Sequence, residues 1–591
     1  MQQHSSRFIF HSVLRMSLFI TLPVALAVLT AGCVVVRKGA QPDARLAKLA
    51  AGEKGTGLQV WAADPLIKIF RDAQPTEPLE EAVAEVTRGE HATLQVIARS
   101  AGAVEGLTAA LGPLRLERGW TKLAADQAQV RFVQDVQVAK PTPQVSSLQL
   151  RKPPAAYPDY LDTGAPVAVK PGEAQAVWVT LPIALDARPG VYRGSLRLSG
   201  RAEGRDFAVD FPVAVRVYAA TVGKSRLWVT NWFQMNSLGR KDWIEPYSDR
   251  YWNQLRAYAR NMAAHRQNVA LLSPLDMTQF SVQADGSLGI DFTRFDRAVQ
   301  IMIDEGVIGR IEGEHIGRRV GDWEGPFNVQ IVQVRDGKAV REKVEPSSAE
   351  ADAFYARFFP ALVAHLREKG WLGQYMQHLA DEPVKGNIAS YCALSALAQN
   401  HAPELRVIEA CHTKDLAGAI QIWVPQLNYF HDDYAHYQER QRQGEEVWFY
   451  TCMYPQGEYA NRFIEQPLVL TRLLHWLNFR YGATGYLHWG YNWWQGDPFV
   501  DTIQNNASTY LPAGDCAIIY PGPDGQPLDS IRGEAMRDGI ADYELLSQLA
   551  DRDAEAAQRL AQRLILDFNR YETSVPAFRQ ARRELLEAVG R

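Results

Sequence analysis

The sequence contains little cysteine and no surplus of positive charge, and both absences narrow the possible functions. The 591 residues include five cysteines, and none forms a CxxC pair, so the spacing of a structural zinc site is missing. Lysine and arginine number 63 against 67 aspartates and glutamates, which gives a formal net charge of -4. Nucleic-acid binding needs clustered basic residues, so this composition favours a neutral or glycan partner.

Several catalytic motifs are also absent. The chain has no GxSxG elbow, no HExxH helix and no glycine-rich phosphate loop, so serine hydrolases, zinc proteases and nucleotide-dependent enzymes lack support. The cluster His431, Asp432, Asp433 and His436 suits the polar first turn of a surface helix better than a metal site. We therefore expect no metal and no cofactor.

The chain starts with a pattern typical of an exported lipoprotein. A basic stretch leads into an apolar segment, Met16 to Leu29, which is followed by small residues and Cys33. The segment is too short and too close to the start for the membrane span of a mature protein. We predict a signal peptide over residues 1–33, lipid attachment to Cys33, and anchoring in the cell envelope. Val34 rather than aspartate follows the cysteine, which favours the outer membrane.

The remaining chain exceeds what one hydrophobic core supports, so we expect at least two folded domains after a polar, alanine-rich tether at residues 34–57. Short β-rich runs alternate with turn signals over residues 58–222, which predicts an all-β sandwich. The four later cysteines, in an oxidising compartment, would permit one or two disulfides whose pairing the sequence leaves open.

From residue 223 the pattern changes to short apolar strands separated by longer helical segments, which predicts a (β/α)8 TIM-type barrel over 223–545. Helices at 546–591 should pack on it. A longer segment after the third strand contains an Asp336-Gly337 turn and predicts a β-hairpin that shapes one wall of a cleft. The eight strands are predicted to begin near Leu227, Val269, Val307, Tyr375, Arg406, Ile420, Val447 and Gly485.

Active sites of such barrels lie at the carboxyl ends of the strands, so residues just beyond each strand should meet in one cleft. Acids, amides and aromatics follow the strands at these positions. They are Asn231, Trp232, Asp381, Glu382, His412, Gln426, Asn428, Tyr454, Trp489, Asn492, Trp493 and Trp494.

The adjacent carboxylates Asp381 and Glu382 are the candidate catalytic pair. Neighbouring carboxylates repel one another, so in a partly dry cleft one stays ionised while the other can hold a proton near neutral pH. Glycosidic cleavage needs this division, because one group protonates the leaving oxygen and another stabilises positive charge at the anomeric carbon. The alternative is an exposed Asp-Glu pair that caps the next helix.

The aromatic residues near the last strand allow two interpretations. Large rings dominate buried surface, so Trp489, Trp493 and Trp494 could be core residues. Sugar rings have apolar faces and a hydroxyl rim, so the same rings could stack on a sugar.

Several stretches resemble glycoside hydrolase family 123 and related bacterial proteins that carry a C-terminal domain of unknown function. They are residues 189–194, the Asp381-Glu382-Pro383 strand end, residues 485–494, and above all 520–525 with 530–544. The resemblance implies a retaining β-N-acetylgalactosaminidase mechanism assisted by the substrate's 2-acetamido group. Asp381 would then orient that group and stabilise the oxazolinium, and Glu382 would act as general acid and base.

We expect an exo-glycosidase acting on a glycan with a terminal β-linked N-acetylhexosamine. Its candidate substrate-binding residues are Trp232, His412, Asn428, Tyr454, Trp489, Asn492 and Trp494, with Tyr454 and Trp489 placed at the acetamido group. Two alternatives stay open: a catalytically inactive glycan-binding surface lipoprotein, and a glycosidase of different sugar specificity.

Overall fold

The computed structural model describes residues 57–591 apart from 77, 165, 238, 241 and 507–508. The predicted signal peptide, Cys33 and nearly all of the tether therefore lie outside the described residues. Among the residues that the structure describes, no helix is both long enough and apolar enough to cross a membrane.

The N-terminal part consists of two β-sheets that share one hydrophobic core. Leu94 and Val179 from one sheet and Leu198 and Val213 from the other are among its buried residues. The first sheet has the strand order Leu58–Ala62, His91–Ser100, Ala174–Pro182, Gln129–Val138 and Ala155–Asp162. The second has the order Ala82–Arg88, Arg205–Thr221, Gly190–Ala202, Val104–Leu111 and Val167–Val169, with Arg115–Leu116 paired to Gly190–Ala202. Most pairs are antiparallel, but Ala82–Arg88 runs parallel to Arg205–Thr221.

The following part contains parallel strands alternating with helices. A six-stranded sheet forms a half-barrel in the order Val269–Leu272, Arg310–Gly313, Tyr375–Gln377, Arg406–Cys411, Ile422–Pro425 and Glu446–Val447. A three-stranded sheet has the order Trp228–Asn231, Gly485–His488 and Phe449–Tyr450. The strands begin at or within three residues of the predicted positions, the largest difference being Arg310 instead of Val307.

The two parallel sheets meet at both of their sides. Trp448, between the two short strands of the seventh segment, donates its backbone N–H to the Trp423 carbonyl at 2.8 Å. On the other side no strand ladder joins Trp228–Asn231 to Val269–Leu272 among the described residues. There the Asn268 side chain accepts from the Val229 N–H at 2.8 Å.

Helices lie between and after these strands. Their serine N-caps are well placed: Ser248, Ser348 and Ser530 each accept a backbone N–H of the following first turn. The helices are Asp249–Ala264, Pro274–Met277, Thr293–Asp304, Ala349–Glu368, Ile388–His401, Leu427–Asp432, Tyr434–Arg442, Leu468–Tyr481, Ile531–Ala550, Ala554–Leu564 and Val575–Val589. The predicted C-terminal helices are therefore present, and the first begins at Ile531.

The predicted hairpin is present, with strands Phe327–Arg335 and Lys338–Val344. Asp336 and Gly337 both have positive φ, as a two-residue type I′ turn requires. Gly317–Arg319 adds a third strand to this hairpin. Smaller strand pairs are Gln279–Val282 with Leu288–Asp291, Gln504–Asn506 with Thr509–Leu511, Tyr520–Pro521 with Pro527–Leu528, and Ile565–Asp567 with Arg570–Tyr571.

The chain is thus a multidomain mixed α/β protein. Buried ion pairs connect the N-terminal sheets to helix Ile531–Ala550. Arg532 contacts Asp159 at 2.8 Å, and Arg131 contacts Glu534 at 2.8 Å.

The four described cysteines, Cys392, Cys411, Cys452 and Cys516, are all free, so the disulfides that an oxidising compartment would permit are not formed.

Candidate active site

A cleft of about 730 Å³ opens where the parallel strands end. It is lined by residues of the predicted set and by others that the sequence did not single out. Among the lining residues are Trp232, Trp323, Asp381, Glu382, His412, Gln426, Asn428, Tyr429, Tyr450, Tyr454, Trp489 and Trp493. Its volume and its mixture of rings with a few polar groups are those of a small-molecule site.

The two acids follow strand Tyr375–Gln377 and are held in an unusual backbone conformation. Glu382 has φ of 48°, in the left-handed region that a residue with a side chain rarely adopts. Such a residue costs on the order of 1–3 kcal/mol and persists only where its surroundings fix it. The Arg319 guanidinium does so here, donating to the carbonyls of Asp381 at 2.8 Å and Glu382 at 2.9 Å. The alternative interpretation, in which the pair caps the next helix, does not hold, since that helix begins at Ile388.

Glu382 is surrounded by hydrogen-bond donors. Its Oε1 accepts from the Tyr450 hydroxyl and lies 3.2 Å from His412 Nε2, which is itself 2.6 Å from the Tyr450 hydroxyl. Burial opposes ionisation of Glu382, but the bonds from His412 and Tyr450 and the Arg319 charge outweigh it and lower the pKa. The arrangement therefore stabilises the ionised form of Glu382.

Asp381 has the opposite shift. Desolvation in the cleft and the Glu382 charge raise the pKa of Asp381 to about 6, although 57% of its side chain is reached by solvent. His315 Nε2, at 3.9 Å from Asp381 Oδ1, acts against this rise. The two carboxylates therefore have opposite shifts, and the proton is held more readily by Asp381, whereas the resemblance assigned the proton-donating role to Glu382.

A chain of buried charges lies beneath the cleft. His378 is fully buried, with Nε2 2.6 Å from Glu312 Oε1 and Nδ1 2.8 Å from Glu409 Oε1. Burial alone would lower the pKa of His378, but the two carboxylates outweigh it and raise the pKa to about 10. Burial would raise the pKa of Glu409, but His378 and His315 lower it to about 2. The group is therefore an imidazolium between two carboxylates.

This buried chain fixes groups that face the cleft. Glu409 Oε2 accepts the backbone N–H groups of Leu379 and Ala380, both at 2.9 Å, just before Asp381 and Glu382. Glu312 Oε1 accepts the Trp232 indole N–H at 3.0 Å. The turn that carries Asp381 and the ring of Trp232 are thus positioned from below.

Five of the seven predicted substrate-binding residues lie in the cleft: Trp232, His412, Asn428, Tyr454 and Trp489. The Trp489 indole donates to Asp515 Oδ1 at 3.1 Å, and its ring centroid lies 5.2 Å from that of Trp493. Burial raises the pKa of Asp515 to about 7. Trp489 is therefore a positioned ring at the cleft wall rather than a core residue.

Asn492 and Trp494 do not line the cleft, which corrects their predicted place in it. Asn492 is buried and forms hydrogen bonds with the backbone of Gln234 in both directions at 2.8 Å. Trp494 is 3% exposed and donates to the Ile519 carbonyl. The backbone after strand Gly485–His488 turns, so strict alternation along that segment does not hold.

Tyr450, His315, Arg319 and Trp323 belong to the site, although the sequence analysis missed them. The seventh strand consists of two short pieces, and Tyr450 is the last residue of the second. It therefore lies at a strand end, where the barrel prediction expects cleft residues. His315, Arg319 and Trp323 lie in the long segment after the third strand, where no spacing distinguishes a cleft residue from a surface one.

Two groups of side chains in the described part come close to a metal-ligand arrangement. His315, His378 and Glu409 are already hydrogen-bonded to one another. His265, Asp529 and Glu534 form the second group, and Arg131 pairs with both of its carboxylates. The expectation of no metal stays a prediction. In the His431 to His436 cluster, Asp433 pairs with Lys414 at 2.6 Å.

The substitution His378→Gln should destabilise the fold, because it leaves two carboxylates buried without their cation. We expect a loss of about 3–5 kcal/mol near neutral pH. The folded pKa of about 10 exceeds the ordinary 6.5, so the stabilisation is complete below about pH 6.5 and is lost as the pH rises towards 10. Urea unfolding across this range should show the difference between wild type and variant becoming smaller.

His401→Gln is the matched control. His401 also pairs with a carboxylate, but that of Asp352 is 62% exposed, so this variant should lose less than about 1 kcal/mol. A difference between His378→Gln and wild type that stays constant with pH would contradict the charged state of His378.

Comparisons with known proteins agree with this geometry. The chain matches the model of the glycoside hydrolase 123 catalytic domain over residues 232–549 and that of the glycoside hydrolase 123 N-terminal domain over 69–200. A comparison with curated proteins gave no match.

Among solved structures, a family 123 glycoside hydrolase from Clostridium perfringens, studied for glycolipid glycan hydrolysis, matches with a TM-score of 0.69 and 16% identity. The match covers 90% of this chain and 97% of that one. A family 10 xylanase with a bacterial Ig-like domain from termite gut matches with a TM-score of 0.31 and 10% identity. That match covers 62% of this chain and 90% of the xylanase, and its TM-score is too low to support any conclusion. The catalytic-domain match spans more than half of the sequence, and the chain therefore belongs to glycoside hydrolase family 123 and is a glycoside hydrolase.

Proposed function

We propose that this glycoside hydrolase is a retaining exo-β-N-acetylgalactosaminidase that uses the 2-acetamido group of its own substrate. The observation that carries the proposal is the adjacent pair Asp381 and Glu382, with opposite pKa shifts, in a cleft lined by aromatic rings. Asp381 orients the acetamido group and stabilises the oxazolinium. Glu382 acts first as general acid and then as general base.

The reaction has two steps. The Glu382 carboxyl gives its proton to the glycosidic oxygen while the acetamido oxygen attacks the anomeric carbon, so the leaving alcohol departs and an oxazolinium forms. Glu382, now ionised, then takes a proton from water as that water attacks the same carbon and reopens the ring. Two inversions give retention of configuration.

The proton must move when the substrate binds, because the geometry described above favours it on Asp381. The acetamido N–H, placed against Asp381, stabilises the ionised form of that carboxylate. The leaving group covers Glu382 and removes water from it, which raises its pKa and lets it hold the proton. Binding thus sets the protonation that the first step needs.

The rings of the cleft support a sugar as the ligand. Trp232, Trp489 and Tyr454 present apolar faces, and His412 and Asn428 supply polar groups beside them. This combination fits the apolar face and hydroxyl rim of a pyranose. The solved relative is described as acting on glycolipid glycans, which is consistent with a terminal amino sugar as the substrate.

We extend the proposal to the whole chain. The nine parallel strand pieces form a closed (β/α)8 barrel over 223–545, and the two N-terminal sheets form a β-sandwich over 58–222. Helices at 546–591 complete the fold. Residues 1–33 form a lipoprotein signal peptide, residues 34–57 a tether, and Cys33 carries the lipid that holds the protein at the outer membrane.

Glu382→Gln tests the catalytic role, because glutamine cannot donate a proton to the leaving oxygen. We expect kcat on an aryl β-N-acetylgalactosaminide to fall by about a hundredfold or more. Glu345→Gln, which replaces an exposed glutamate outside the cleft, is the control and should retain the wild-type rate. An unchanged rate in Glu382→Gln would rule out the role of this residue.

The same assay separates the alternatives. Aryl glycosides of β-linked N-acetylgalactosamine, N-acetylglucosamine and galactose distinguish sugar specificity, and a thiazoline mimic of the oxazolinium should inhibit only an acetamido-assisted site. Binding of a glycan without any product would favour the inactive glycan-binding protein.

The substitution Tyr450→Phe should change the pH dependence of kcat/KM. The Tyr450 hydroxyl donates to Glu382, so its removal destabilises the doubly ionised pair, and the pair keeps its last proton to higher pH. We expect the alkaline limb of kcat/KM to move to higher pH in a profile from about pH 4 to 9. In Tyr454→Phe, whose hydroxyl does not bond to either acid, the limb should stay in place. Movement towards lower pH in Tyr450→Phe would contradict this account.

Cys33→Ala tests the anchor. The variant should incorporate no labelled palmitate and should leave the membrane fraction, because the acceptor sulfur is gone. Cys392→Ala, which removes an exposed cysteine of the body, should be labelled like wild type. Equal labelling of Cys33→Ala and wild type would reject lipid attachment at this residue.

A further inference from the structure

A second depression, of about 350 Å³, lies beside the catalytic cleft. Trp493 lines both, and its ring centroid lies 5.2 Å from that of Trp489 in an edge-to-face arrangement. The two spaces therefore adjoin at Trp493. The volume falls within the roughly 300–1,000 Å³ typical of ligand pockets.

The depression combines an exposed ring with free polar groups. Trp243 is 70% exposed, and the buried Trp494 forms part of the wall. The side chains of Gln234, Ser237 and Gln495 also line it, and none of them is hydrogen-bonded to another residue of the described part. Rings with unused amides and a hydroxyl are what a sugar unit requires.

One carboxylate lies between two arginines at the rim: Arg240 Nε lies 3.8 Å from Asp242 Oδ1, and Asp242 also pairs with Arg250. The polar side chains that line the depression without a hydrogen-bond partner are uncharged, which favours a neutral ligand such as a sugar.

The depression is built before a ligand arrives. Asn492 holds the Gln234 backbone from both sides at 2.8 Å, and the Gly239 N–H donates to the Trp494 carbonyl at 2.7 Å. These three bonds tie the segment after the first parallel strand to the segment after the last one. Such preorganisation reduces the ordering cost of binding.

We propose that this depression is a subsite for the sugar unit next to the one that is cleaved, on the leaving-group side. The proposal rests on the proposed exo action, because every further unit of a chain cut at its end belongs to the leaving group. Trp243 stacks on that unit, Trp493 separates the two sugars, and Gln234 and Gln495 bind its hydroxyls.

Calorimetric titration of Glu382→Gln, in which the glycosidic bond is preserved, tests the subsite. The ligands are the methyl β-glycosides of N-acetylgalactosamine, N-acetylglucosamine and galactose, and the three disaccharides in which each is β-linked to galactose. A methyl group does not reach past Trp493, so the ratio of the two Kd values reports on the subsite alone. Each titration is repeated after adding Trp243→Ala to the Glu382→Gln protein. The control adds Trp120→Ala instead, because Trp120 is 96% exposed and lines neither space.

We expect at least one disaccharide to bind about tenfold more tightly than its methyl glycoside, and Trp243→Ala to reduce this gain to about twofold, the size expected for one lost stacking contact. Trp120→Ala should leave the gain in place. If no disaccharide exceeds its methyl glycoside, or if Trp243→Ala keeps the gain, the subsite is rejected. A gain that appears only with terminal galactose would support the subsite while rejecting the proposed acetamido specificity.

Discussion

The site depends on one charged histidine buried between two glutamates. His378 cannot be neutral without leaving two carboxylates in the protein interior, and neither glutamate can be buried without that cation. Because Glu409 also binds the backbone just before Asp381, and Glu312 also binds Trp232, the charge balance of the interior determines the geometry of the cleft.

Buried ion pairs perform a different task at the boundary between the N-terminal sheets and the C-terminal helix. Arg532 and Glu534 pair with Asp159 and Arg131, all of them almost fully buried. These two residues belong to the long C-terminal stretch that carries most of the resemblance to the family. The stretch therefore helps to join the two parts of the molecule, and none of its described side chains lines the cleft.

The sequence predicted those features that depend on local periodicity. Strand starts at Val269, Tyr375, Arg406 and Gly485 agree with the structure, since short apolar runs between amphipathic helices are a strong signal. It also singled out the Asp381-Glu382 pair, because two acids follow a short apolar run, although the strand itself ends earlier, at Gln377. It could not predict that Asn492 and Trp494 turn away from the cleft, since that depends on how the last strand continues into its loop. It also could not identify His315 or Arg319, because their positions depend on a hairpin folded over a distant strand end.

The backbone of Glu382 has a consequence for how this enzyme evolves. A left-handed φ favours glycine, so a glycine at position 382 would release the strain and delete the acid in a single change. With Glu382 in its proposed role, activity and stability would pull in opposite directions at this position, as they do at many strained active sites. In a lineage that no longer needs hydrolysis, this position should be among the first to drift, leaving a protein that folds better and only binds sugar.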